Sequence, residues 1–135
     1  MATFTLDGID ITAYVESASV TLGMNAPMQH VADVGVCTLI CKNDDRRFSP
    51  NNTASPLYSS LLPNKVITIA EAGVTLFRGF VRSIQPDAGR YMETQRCVIE
   101  CTDMLGRLQD YLISLPLQQS QKAGYLLKMI TSAAL

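Results

Sequence analysis

Before Asp103, apolar and polar residues alternate along most of the chain, which is the two-residue period of half-buried strands. Residues 3–6 make a short strand turned by Asp7-Gly8. Ile9, Ile11 and Val15 lead into a second strand over 17–22, where Ala18, Val20 and Leu22 alternate with Ser and Thr. Residues 25–33 connect it to a strand over 36–42 rich in β-branched and apolar residues. Strands over 65–70 and 74–84 flank Glu71-Ala72-Gly73 in the manner of a hairpin. Pro86-Asp87-Ala88-Gly89 has the composition of a turn. The last long strand runs over 91–102, with Cys97, Ile99 and Cys101 on one face and Val98 and Glu100 on the other.

The period then lengthens. Asp103 is placed to cap a short helix over 104–112 that aligns Leu105, Leu108 and Leu112. Pro116 interrupts, and a second helix from Ser120 aligns Ala123, Leu126, Leu127, Ile130 and Ala134, with Gly124 weakening its first turn. No Gly, Asn or Pro stops this helix before Leu135, which predicts a longer parent protein. The chain divides into a β unit, 1–102, and a helical segment, 103–135, that begins a following domain. The class is mainly β (α+β) with two C-terminal helices.

Residues 43–64 fit neither period and carry Pro50, Pro56 and Pro63. Structureless loops of this length are uncommon in compact domains and usually make contacts. Phe48, Leu57, Tyr58, Leu61 and Leu62 supply anchors, and Ser55-Pro56 suits the opening of a helical turn.

With 135 residues and 47% apolar content there is enough chain for one core. Charged residues make up 17% and the net charge is −1, so the basic excess of a nucleic-acid or membrane-surface binder is missing. Low charge instead suits a subunit covered by neighbours. No secretory signal opens the chain, no run reaches the ~18 apolar residues of a membrane span, and the cysteines are expected to be reduced thiols of a cytoplasm.

Those cysteines are spaced alike: Cys37 and Cys41, Cys97 and Cys101. Within a strand, such a pair stands about 13 Å apart on one face, too far to grip one metal ion. If the two strands pair antiparallel with Cys37 opposite Cys101, Cys41 falls opposite Cys97. The plainer reading is four small buried hydrophobes; zinc lacks CxxC knuckles and a histidine partner. His30 is the sole imidazole, so a thiol hydrolase would have to pair it with a cysteine. Asn43-Asp44-Asp45 reads as turn formers, and Gly79, inside a strand, marks a bulge or a close backbone approach. Arg46 and Arg47 are either a solvated pair or a pin for the loop through Asp44, Asp45 or a neighbouring subunit. No catalytic residue, cofactor site or metal site is assigned.

Three stretches carry a resemblance. They are Asp45-Arg46-Arg47-Phe48-Ser49-Pro50-Asn51-Asn52-Thr53 with Ser55-Pro56-Leu57-Tyr58 and Leu61-Leu62-Pro63-Asn64-Lys65; Leu76-Phe77-Arg78-Gly79-Phe80-Val81-Arg82-Ser83-Ile84; and Ile99-Glu100-Cys101-Thr102-Asp103-Met104-Leu105-Gly106-Arg107-Leu108. Together they resemble the N-terminal part of bacteriophage tail hub proteins, with Asn64 where that family usually has glycine. The resemblance implies an antiparallel β-barrel or sandwich related to tail-tube domains. It also implies a non-enzymatic subunit, usually trimeric, that joins the tail tube to the spike or tip. The expected place is the virion tail, or the host cytoplasm during assembly. The expected partners are other tail and baseplate proteins, and no nucleic acid. Asp45, Arg46, Arg47, Phe48, Pro50, Asn51 and Tyr58 become the candidate subunit-contact loop. The competing reading is a β-sandwich that binds a glycan or host receptor, although the chain has no Trp for sugar stacking.

Overall fold

The computed structural model describes residues 1–23, 33–87, 94–109 and 122–134. The chain is mainly β, with two C-terminal helices. Its strands are β1 (Ala2–Leu6), β2 (Ile9–Asp10), β3 (Val15–Gly23), β4 (Asp33–Lys42), β5 (Val66–Glu71), β6 (Val74–Pro86) and β7 (Arg96–Thr102), followed by α1 (Met104–Gln109) and α2 (Ala123–Ala134). All seven strands join one antiparallel sheet in the order β2-β1-β5-β6-β7-β4-β3. Consecutive hairpins make β5, β6 and β7; β4, which precedes them in the chain, lies beside β7. That arrangement is a Greek key, and residues 43–64 are its long connection.

The register of β4 on β7 is the one supposed from the cysteine spacing: Cys37 opposes Cys101 and Cys41 opposes Cys97. With Leu39 opposite Ile99 between them, the alternation places all six side chains on one face. Leu6, Ile67, Ile69, Phe77 and Val81 continue that face through β1, β5 and β6, and all are buried in a single core. Gly79 stands directly opposite Ile67 in the sheet. A Cβ there would run into the Thr102 carbonyl oxygen and, at 2.7 Å, the Phe77 ring, so the residue marks a close backbone approach.

Two-residue turns close the short hairpins. Asp7-Gly8 and Ala72-Gly73 have positive φ at both positions (51° and 83°; 49° and 81°), the backbone of a type I′ turn, whose twist matches the flanking strands. Asn64, where the tail-hub pattern has glycine, also sits at positive φ (67°) and donates its N–H to the Val81 carbonyl at 2.8 Å. Asparagine tolerates this conformation better than most residues, so the turn survives the replacement.

Asp103 fastens α1 to the sheet. One carboxylate oxygen accepts the N–H of Gly106 at 2.9 Å, capping the helix, and the other accepts the N–H of Gly35 on β4 at 2.7 Å. The Arg107 guanidinium lies 4.4 Å over the Phe80 ring.

Several boundaries differ from the sequence pattern. β7 begins at Arg96 rather than Tyr91; Thr94 and Gln95 are not in the strand, and residues 91–93 lie outside the described residues. α1 is followed to Gln109, and its expected end at Leu112 lies outside as well, as do the loop over 25–32 and the start of the second helix at Ser120. Leu105 is exposed rather than buried in an α1 seam, and on α2 Leu127 is 66% exposed. On α1, Gly106 is buried and Leu108 half-buried against the sheet, while on α2 Leu126 is half-buried and Ile130 exposed.

Two substitutions are predicted to move stability in opposite directions. Gly79→Ala should lower the unfolding free energy by about 1–3 kcal/mol through overpacking against Thr102. Ala72→Asn should raise it by roughly 0.5–1 kcal/mol by suiting the type I′ turn. Urea titration of each purified variant measures both.

Candidate functional site

To pass from β4 to β5 the backbone must cross β7 and β6, about three strand spacings or roughly 14 Å. Residues 43–64 do this as a string of reverse turns rather than an irregular loop. Backbone N–H groups of Arg46, Ser49, Asn52, Ser55 and Tyr58 donate in turn to the carbonyls of Asn43, Arg46, Ser49, Asn52 and Ser55, at 2.9–3.2 Å. Each turn ends on the residue that begins the next. This three-residue backbone period has no hydrophobic counterpart, so side-chain patterning does not display it.

Asn43 anchors the string. It is 1% exposed, its Oδ1 accepts the Phe48 N–H at 2.8 Å, and its Nδ2 donates to Ser49 Oγ at 3.2 Å. Its own N–H donates to the Gln95 carbonyl at 2.8 Å, and Asp44 Oδ1 accepts the Gln95 N–H at 2.9 Å. Asn52 donates through Nδ2 to the Arg46 carbonyl, and Ser55 Oγ donates to the Arg47 carbonyl at 2.6 Å while accepting the Leu57 N–H at 3.1 Å. Ser55 thus opens a turn, as expected, although the short 3-10 helix begins only at Tyr58.

Phe48, Leu57 and Leu61 point into the core, whereas the other two expected anchors, Tyr58 and Leu62, are 47% and 52% exposed. Phe48 meets Tyr14 edge-on, with ring centroids 6.0 Å apart. Arg47 pins the segment from outside: its backbone N and its Nε both donate to the Asp45 carboxylate at 3.0 Å, and its guanidinium lies 4.4 Å over the Tyr14 ring. At the far end Asp7 accepts from Ser60 Oγ at 3.2 Å and Lys65 Nζ at 2.7 Å. The Lys65 hydrogen bond holds the Asp7 carboxyl below its ordinary value, against its desolvation and with help from Ser60. That clamp contributes fully above the ordinary carboxylate range and weakens as pH falls through the depressed value.

The seven candidate contact residues therefore divide. Phe48 is fully buried and is an anchor; Arg47 is half-buried; Asp45, Arg46, Pro50, Asn51 and Tyr58 are exposed. Asp45, Arg46, Pro50 and Asn51 come together at the rim of a shallow cleft of about 500 Å³, with Asn43, Ser49, Asn52, Pro86, Asp87 and Gln95 completing it. Among the described residues no aromatic ring lines it. Asn43, Asp7 and Tyr14, which fix the loop, gave no sequence signal beyond turn composition or strand flank.

The geometry offers little chemistry. Among the described residues no three His, Cys, Asp or Glu side chains converge on a metal-sized site. All four cysteines are free and buried. Burial is the main cause pushing Cys41 up to about 12 and Cys97 up to about 11, so both remain neutral thiols at physiological pH. His30 lies outside the described residues. No described helix is long and apolar enough to cross a membrane.

No family model matches the sequence, and no curated protein is detectably similar to it. Solved structures are similar. A 43 kDa tail protein from the prophage MuSo2 of Shewanella oneidensis superposes on 98% of this chain with a TM-score of 0.65 at 14% identity. This chain spans 36% of that protein's length. At that identity the likeness establishes a shared fold and no more. The Dit protein (gp 19.1) of phage SPP1, a hub of the adsorption apparatus, matches 77% of this chain and 50% of its own at 13% identity. Its TM-score of 0.42 is too low to carry an argument. The fold of this chain is thus one found in a prophage tail protein.

Removing the Asn43 side chain should be the costliest polar truncation in the loop. Asn43→Ala leaves the buried Phe48 N–H without its acceptor and is predicted to cost about 2–3 kcal/mol. Asn52→Ala, in a more exposed turn, should cost about 1 kcal/mol or less. Equal losses in urea titrations would contradict the central position of Asn43.

Proposed function

We propose that the chain is a structural subunit of a phage tail or tail-like particle, part of a hub or baseplate that joins the tail tube to the spike or tip. The observation that carries this reading is the superposition of 98% of the chain on a prophage tail protein. The tail-hub-like residue run supports it from a second direction, because it falls on the crossover loop that organises the fold.

In this reading the chain acts by association and not by catalysis. Its partners are tube and spike proteins and further copies of itself, as a trimer in the full-length protein, and its place is the virion tail after assembly in the host cytoplasm. Two surfaces suit such contacts. One is the exposed rim of the crossover loop, Asp45, Arg46, Pro50 and Asn51, with Tyr58. The other is the outer edge of β3. Hydrogen-bond parity along β4 directs Ser17, Ser19 and Thr21 at β4, which leaves the N–H and C=O groups of Ala18 and Val20 facing outward among the described residues. No Lys or Pro guards this edge, the usual protection against unwanted pairing. For the glycan-binding alternative, the described residues supply no aromatic platform in the cleft.

Arg46→Asp combined with Tyr58→Ala should leave the urea midpoint unchanged, since both side chains are exposed and aspartate tolerates the positive φ (55°) of Arg46. In the full-length protein the pair should weaken self-association at least about tenfold, a loss of roughly 1.4 kcal/mol, read by light scattering across a dilution series. A monomeric wild type, or a variant that associates as tightly as the wild type, would overturn the contact assignment.

A further inference from the structure

Cysteines oppose each other twice across the β4–β7 ladder, Cys37 with Cys101 and Cys41 with Cys97. Backbone bonds from Asp103 N to Gly35 O and from Asn43 N to Gln95 O, at 2.9 and 2.8 Å, fix the parity of that ladder. Both cysteine couples occupy hydrogen-bonded positions, where α-carbons stand about 5.5 Å apart. Disulfides most often span about that α-carbon separation, and closing one here requires the β-carbons to draw in to about 3.8 Å.

The two couples are not equivalent. The Cys97 thiol is directed at the Phe48 carbonyl at 3.8 Å and its own neighbour's, Val98, at 3.9 Å, so it is engaged away from Cys41. Cys37 and Cys101 instead face each other across the ladder, both buried on its core side. The neighbouring Cys101 thiol holds the Cys37 thiol below its ordinary range, against its burial, and Cys101 is itself pushed up. Cys37 also lies one strand in from the sheet edge, opposite the exposed Val20 of β3, so that local opening of the edge uncovers it first.

We propose that Cys37 and Cys101 form a latent cross-strand disulfide, a redox-modification site that pins β4 to β7 when the chain meets a small-molecule disulfide. Opening of the β3 edge admits the oxidant. The Cys37 thiolate attacks one of its sulfurs, breaking the S–S bond, forming a mixed disulfide and releasing one thiol. Cys101 then loses its proton and attacks Cys37 Sγ, closing the protein disulfide and releasing the second thiol. Two protein thiols are oxidised, and one small disulfide is reduced to two thiols. The new bond encloses the crossover loop, β5 and β6, so it resists unfolding of the Greek key.

The test is equilibration of the intact native protein with oxidised glutathione, followed by alkylation and peptide mapping. The expected product has lost two hydrogens, yields a Cys37–Cys101 linked peptide, carries alkylated Cys41 and Cys97, and unfolds at a higher urea concentration until a reductant is added. Cys41→Ala with Cys97→Ala should oxidise as the wild type does, and Cys37→Ala should stop at a mixed disulfide or not react. Wild-type protein whose four thiols all stay reduced, or which links Cys41 to Cys97 as readily, would overturn the proposal without any variant having to fold.

Discussion

β4 and β5 are separated in the sheet by β7 and β6, so the chain has to carry its backbone across the buried face to get from one to the other. A backbone laid over a hydrophobic core must satisfy its polar groups there. This chain does so by chaining turns, each passing its hydrogen bond to the next, and by placing one buried asparagine at the start of the series. Asn43 holds Phe48 N–H and Ser49 Oγ, and its backbone is bonded to Gln95 beside β7. Phe48, Leu57 and Leu61 can then join the core that the sheet residues form.

The same constraint decides what the loop offers to a partner. Its hydrophobic residues are used inward, and its turns leave polar and small residues at the rim, where Asp45, Arg46, Pro50 and Asn51 gather. A surface of fixed backbone and exposed side chains, carried on a sheet whose β3 edge turns backbone N–H and C=O groups outward among the described residues, suits association. The thiols, the most reactive groups present, lie inside the core.

Much of this was legible in the sequence where alternation and burial coincide. With Cys37 supposed opposite Cys101, the equal spacing put Cys41 opposite Cys97, and the sheet adopts that register because β4 and β7 each bury one whole face that a one-residue slip would expose. Gly79 and Asp103 were legible for similar reasons: a missing side chain inside a strand, and a cap where the period changes. The crossover string was not, because its regularity lies in backbone hydrogen bonds that many residue types can make. Tyr58 and Leu62 misled as anchors, since apolar side chains in a turn-rich segment have no period to say which way they point. The residues at the loop rim were singled out by the tail-hub-like residue run, and composition gives no sign of them.

The account turns on whether the chain is built into a particle. Quantitative mass spectrometry of purified phage or tail-like particles from cells that encode it tests this directly. The account predicts the chain in intact particles at a fixed small number of copies relative to the tube protein. Particles that lack it, purified from lysates in which it is abundant, would contradict the account.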